Sequence, residues 1–264
     1  MDFSQPNYET ISVTPEMAAS ILDGHVNYRH TSPKRINSYA RVMSDGGWRL
    51  SQPLMFDESG NLIDGQNRLH AIIKSGTTQT FTFLSGMPRS SKSAIDGGQP
   101  RSGAQVLIAE RPDSYASAAA VARCVRYMPV GSGGSSGILN SELPALWDKY
   151  QPHIGIVCEM VPKDKGLSRA PFKAALVRAL MHRPESETVL RVLVDEMKTS
   201  KFRQSLNGGI LLRMLMMEPN SGGASLNSVY LKSARVIESE INGVSLSKIY
   251  TPSTDPFPLP EKFK

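Results

Sequence analysis

The sequence predicts an α/β (α+β) fold: a small N-terminal α/β domain over residues 1–108, then a mostly helical domain over 109–264. Three observations lead there. Apolar or alternating runs at 9–13, 54–57, 62–63 and 79–84 are bounded by turn residues, as strands are. Two pairs, Thr14-Pro15 and Ser32-Pro33, open helical patterns between the strands. Beyond residue 103, strand patterns cease and helical spacing takes over.

Residues 9–13 alternate like a strand. Thr14 then caps a helix with Pro15 at its first position, running through Leu22 to Gly24. Ser32-Pro33 repeats the signal, with Ile36, Tyr39, Ala40 and Met43 as the buried stripe and Gly46-Gly47 as the stop. Leu54 to Asp57 and Leu62-Ile63 are strands joined by the turn residues Glu58 to Asn61. Leu69, Ile72 and Ile73 form one face of a short helix ending near Gly76. Gln79 to Leu84 alternates again, with Phe81 and Phe83 on one face. Pro88 to Lys92 reads as a basic turn.

In the second part, Ala116 to Tyr127 is a helix, and Gly131 to Gly137 is a flexible Gly/Ser loop. Ser141 starts a helix and Pro152 another. Ser168 to His182 and Glu185 to Thr199 read as amphipathic helices, followed by Phe202 to Met217 and Ser225 to Ile241. The Met-rich stretch Leu211 to Met217 suits core packing or a helix interface, including a homodimer contact. The proline-rich tail from Thr251 is expected to be extended.

Composition is that of a globular chain, with 40% hydrophobic and 20% charged residues. No apolar run has the length of a membrane span, and Met1 to Gln5 lacks the pattern of a signal peptide. Only Cys124 and Cys158 are present, so a disulfide framework is not expected and a cytoplasmic location is. The net charge of +6 is uneven: residues 163–203 hold 10 Lys and Arg against 5 Asp and Glu. Lys163, Lys165, Arg169, Lys173 and Arg178 could follow a DNA backbone there, although a solvated helical surface has the same composition.

The most informative stretch is Asp64-Gly65-Gln66-Asn67-Arg68, set where a strand ends and a helix begins. The N–H groups opening a helix attract anions, and Gly65 permits close approach to the main chain. Arg68 supplies a planar, permanently charged fork suited to phosphate. Asp64 could bind magnesium or accept a proton from an attacking hydroxyl. The same five residues also fit a tight turn with Asp64 as a cap and Arg68 in a surface ion pair. A second acid, Asp96, precedes Gly97-Gly98, with Arg101 nearby. Trp48 could stack on a base, but a core anchor is the favoured reading.

This stretch resembles the "DGQHR" signature of ParB/sulfiredoxin-like proteins, in particular the ParB-domain proteins of tailed phages and actinobacteria. The resemblance runs over roughly residues 10–108. It includes Asn27-Tyr28-Arg29, Gly47-Trp48, Phe56-Asp57, Ser75-Gly76 and Ile95 to Gly98 with Arg101, Ala104 and Val106-Leu107. Asn67 stands where the signature has His, and Gly97 where a neighbouring motif has Thr.

The resemblance implies a nucleoside triphosphate, ATP or CTP with Mg2+, held by Gly65, Gln66 and Asn67, with Asn27, Arg29 and Arg101 at the phosphate end. It implies Asp64, Arg68 and Asp96 as the chemical groups, Asp64 also holding the metal. The expected function is NTP hydrolysis or phosphoryl transfer on or with DNA, which includes base modification. A non-catalytic or nucleotide-switched DNA adaptor and a metal-dependent nuclease are the alternatives. The sulfiredoxin activity itself is not expected, because no Cys lies beside the phosphate motif.

Overall fold

The structure, a computed structural model, describes residues 6–24, 31–50, 52–88, 102–128, 138–161, 167–217 and 226–264. It is an α/β protein with a helical extension: one four-stranded mixed sheet and ten α-helices among the described residues. The chain divides into two units, Met1–Arg101 and Ser102–Lys264.

The first unit comprises β1 (Asn7–Val13), α1 (Pro15–Asp23), α2 (Pro33–Ser44), β2 (Leu54–Asp57), β3 (Leu62–Asp64), α3 (Gln66–Ser75) and β4 (Gln79–Met87). The sheet order is β1-β4-β2-β3. β4 pairs antiparallel with β1 and parallel with β2, while β2 and β3 form an antiparallel hairpin. Both Ser/Thr-Pro starts behave as expected. The Met17 N–H donates to Thr14 Oγ1, and the Arg35 N–H to Ser32 Oγ. Each cap satisfies a donor that a helix start leaves without an intrahelical partner.

Period-two alternation puts Val13, Leu54, Phe56, Phe81 and Phe83 into one core with Ala18, Ala40, Met43, Leu69, Ala71 and Ile72 from the three helices. Trp48 packs its ring on Tyr39 and Phe81, with centroids 5.4 and 5.5 Å away, so the core-anchor reading holds. Ile73 departs from expectation. It is exposed, and the inner face of α3 is Arg68, Leu69, Ala71 and Ile72.

The second unit contains α4 (Gly103–Glu110), α5 (Ala118–Tyr127), α6 (Leu143–Met160), α7 (Ala170–His182), α8 (Glu187–Thr199), α9 (Gly208–Met217) and α10 (Leu226–Ile241). α4 belongs here and not to the first unit, because Leu107 is fully buried in the helical core. Pro152 does not start a new helix; it lies on the solvent side within α6. Pro inside a helix costs about 3 kcal/mol, and a continuous stripe from Leu143, Trp147 and Tyr150 to Ile154, Val157 and Cys158 offsets it by burial.

α7 is not amphipathic. Pro171 through Met181 are all buried, so α7 is the central helix of this unit. The tail from Thr251 is irregular, as its prolines suggest, but it is docked. Phe257 and Leu259 are buried in the core, and the Tyr150 hydroxyl donates to the Phe263 carbonyl at 3.0 Å. Among the described residues, no helix is long and apolar enough to cross a membrane.

Candidate functional site

β3 delivers Asp64 to the rim of the sheet, and Gly65 turns the chain into α3. Gly65 has φ 119°, a conformation that side chains rarely adopt. A Cβ on Gly65 would also stand 2.3 Å from Leu54 Cδ2. Both facts require glycine for internal reasons: the turn itself and the approach of β2.

Arg68 has a different place from the one its chemistry suggested. Only 4% of it is exposed. Its Nη1 donates to the carbonyls of Gln52 (2.6 Å) and Pro53 (2.7 Å), and its Nη2 to Asp64 Oδ2 (2.6 Å). The guanidinium therefore pins the segment entering β2 to the β3–α3 junction. Burial lowers its pKa, and the neighbouring Asp64 acts in the opposite direction. Arg68 as an open phosphate ligand is thus corrected: the side chain is buried, and three of its five N–H donors serve two carbonyls and a carboxylate. The surface ion pair is corrected as well, because the pair forms but its Arg member is buried.

Asp64 keeps one side open, with 35% of its side chain exposed. Asn67 is committed through its side chain: Oδ1 accepts the Ser32 N–H at 2.9 Å. This bond ties the start of α3 to the start of α2. Farther along both helices, Lys74 Nζ donates to Asn37 Oδ1, so α2 and α3 run in the same sense with their N-terminal ends side by side. Two positive helix ends meet beside one half-exposed carboxylate. Such a place suits an anion that brings its own divalent cation.

Asn27, Arg29, Asp96 and Arg101 lie outside the described residues, as do the Arg89 to Lys92 cluster and the Gly131 to Gly137 loop. Among the described residues, no three His, Cys, Asp or Glu side chains gather in one place as a metal set. Asp57, another acid near the hairpin, is structural. It is buried, and Oδ1 accepts the N–H groups of Ser59 (2.9 Å) and Asn61 (2.7 Å), holding the β2–β3 turn.

The expected DNA-contacting stripe does not form as read. Lys173 and Arg178 are each 2% exposed on the buried helix α7. Arg178 donates to the Val125 carbonyl (2.6 Å), the Tyr230 hydroxyl (3.2 Å) and Asp255 Oδ2 (2.9 Å). Those donors cannot also reach a phosphate backbone. Arg169 sits half-buried at the N-cap of α7, and Lys163 and Lys165 lie outside the described residues.

Sequence reasoning missed Ser32, Gln52 and Pro53 as partners of the junction. Ser32 carried a signal only as a helix cap, and nothing in a residue's type marks its carbonyl as an acceptor for a distant guanidinium. No family model matches the chain, and neither a curated protein nor a solved structure matches it.

Proposed function

We propose that the first unit is a ParB/sulfiredoxin-like domain of the phage type, which binds a nucleoside triphosphate at the β3–α3 junction and works on or with DNA. One observation carries the nucleotide part: Asn67 locks the starts of α2 and α3 together beside Asp64. The opening N–H groups of α3, from Gly65 to Asn67, would meet phosphate oxygens. Asp64 would share Mg2+ with the triphosphate, which normally supplies part of that ion's shell. In this chemistry the bound ion neutralises charge on the phosphates.

The commitments of Arg68 and Asn67 favour binding over turnover. A hydrolase needs a cation to stabilise charge in the transition state and a group to orient the attacking water. Arg68 is locked to carbonyls, and Asn67 to Ser32. Between enzyme and nucleotide-switched adaptor, these two bonds support the adaptor. The DNA partner rests on the resemblance and on Lys163 and Lys165. Two carboxylates, Asp64 and Asp96, are a thin set for a metal-dependent nuclease.

The test is a thermal-shift series of the full chain with ATP, CTP, GTP and ADP, with and without Mg2+, and with Gln66→Glu and Asp64→Asn. A ligand at 100 times its Kd adds about 2.7 kcal/mol to the folded state. Gln66→Glu is nearly isosteric and adds a negative charge at the opening turn of α3, which opposes a phosphate bound there, so it should weaken or abolish the shift while the protein stays folded. Asp64→Asn should remove the Mg2+ dependence. No shift with any nucleotide would sink the reading.

A further inference from the structure

One group of nucleophilic and titratable side chains stands apart from the junction, wholly within the second unit. Ser117 precedes α5, Cys158 lies in the last turn of α6, and Lys173 lies in the first turn of α7. Lys173 Nζ donates to Ser117 Oγ at 3.3 Å, and Ser117 Oγ is 3.5 Å from Cys158 Sγ.

Lys173 is buried, and among the described residues no carboxylate pairs with it. A cation placed so costs several kcal/mol. Burial accordingly pulls the pKa of this amine down, with the Cys158 sulfur acting the other way. The first turn of a helix, where α7 holds Lys173, further disfavours positive charge. A methionine or leucine would fill this volume without that cost. A neutral amine has what those residues lack, a lone pair able to take a proton from a hydroxyl.

The order of burial is equally specific. Lys173 and Cys158 are buried, and Ser117 is half-buried, so Ser117 is the most exposed residue of the three. Ser117 does not spend its hydroxyl on capping α5.

We propose that Ser117 is a nucleophile activated by Lys173, accepting an acyl group from a small activated ester. Ser117 Oγ forms a bond to the carbonyl carbon as its proton passes to Lys173 Nζ. The bond from that carbon to the leaving oxygen then breaks, and the proton passes from Nζ to the departing alcohol. Water, deprotonated by the same amine, cleaves the acyl-serine and regenerates the hydroxyl. The sum is ester plus water giving acid plus alcohol. Cys158 acts as a positioning residue that limits rotation of the Ser117 hydroxyl. The site is independent of the nucleotide reading, and either can fail alone.

The experiment treats the full chain with p-nitrophenyl acetate and, separately, a fluorophosphonate probe. Adducts are read by intact mass and peptide mapping, and circular dichroism checks folding. The expected result is one adduct, on Ser117, absent in Ser117→Ala and retained in Cys158→Ser. General-base assistance contributes about 10²- to 10⁴-fold, so Lys173→Met should label at least about a hundredfold more slowly. If that variant does not fold, the pH profile of the unaltered protein decides. Its labelling rate should rise with a midpoint below the ordinary lysine value of about 10.4. No adduct on the folded protein, an adduct mapped to Cys158, or labelling that persists in Ser117→Ala would each overturn the proposal. A pH midpoint at the ordinary lysine value would overturn it too.

Discussion

Replacing Arg68 by Met separates a brace from a ligand. The aliphatic stem is retained and the guanidinium removed. What remains is two carbonyls, of Gln52 and Pro53, and the Asp64 carboxylate, all without the donor they now share. Breaking a buried charged pair by deleting one member costs about 3–5 kcal/mol. Asp64 is partly open to water, which can replace its share of the loss, so the lower end applies, about 3 kcal/mol. A unit of this size loses about 4–8 °C of Tm per kcal/mol. The first unit should therefore melt at least about 10 °C lower.

Urea unfolding measures this, with hydrogen exchange over 52–75 to assign the loss to the first unit. Arg68→Lys should recover only part of the loss, since an ammonium lacks the planar fork that now serves both carbonyls and Asp64. A loss below about 1 kcal/mol for Arg68→Met, with nucleotide binding abolished, would refute the brace and return Arg68 to the ligand. The same logic explains why Gln66→Glu is the better probe of the pocket. Any Arg68 truncation would remove a nucleotide shift simply by loosening the junction.

Gly65→Ala should destabilise the first unit by about 2–5 kcal/mol in urea melts, combining a left-handed φ with overpacking on Leu54. The double variant with Leu54→Ala should then lose less than the sum of the two, and additivity would mean that only φ matters. Arg178→Ala should cost about 3–5 kcal/mol in the second unit, with strong coupling to Asp255→Ala in a double-mutant cycle. Burial raises the carboxyl pKa of Glu240, with Gly208 N–H and Arg203 acting against it. The folded state thus holds that proton to higher pH than the unfolded chain does. Stability contributed by Glu240 is then full below the ordinary carboxylate value and falls as pH rises through the folded value. Melting curves across pH 3–8 should show this decline, and Glu240→Gln should flatten it.

How far the sequence could be read depended on the range of each interaction. Helix starts are local: Thr14-Pro15 and Ser32-Pro33 cap within three residues, so their signals are legible in the sequence. Strands β2 and β3 were equally legible, because the hairpin is closed by Asp57, Gly60 and Asn61 within one turn. α7 was misread for the opposite reason. Its Lys173 and Arg178 look like a polar face, but their partners lie just before and on α5, on α10 and in the C-terminal tail. Nothing within α7 announces a Tyr230 hydroxyl or an Asp255 carboxylate. Pro152 was misread likewise, since its local rule yields to burial on both sides of it.

The junction shows the same division inside five residues. Gly65 was legible as a turn, but its packing against Leu54 was not, because β2 reaches it only through the sheet. Asn67 illustrates what this means for function. As a departure from the signature it leaves two readings open, a lost acid–base group or a His that was never the base, since an amide cannot titrate where His would. In the fold it has a position of its own, accepting the N–H that opens α2. A His there could accept that bond only through a ring nitrogen, and would tie the helix junction to pH. Asn holds the two helix starts together irrespective of protonation. A site built this way is suited to gripping phosphates steadily, and Asn67→His should make any nucleotide-induced thermal shift vary between pH 5.5 and 7.5 where the present chain's does not.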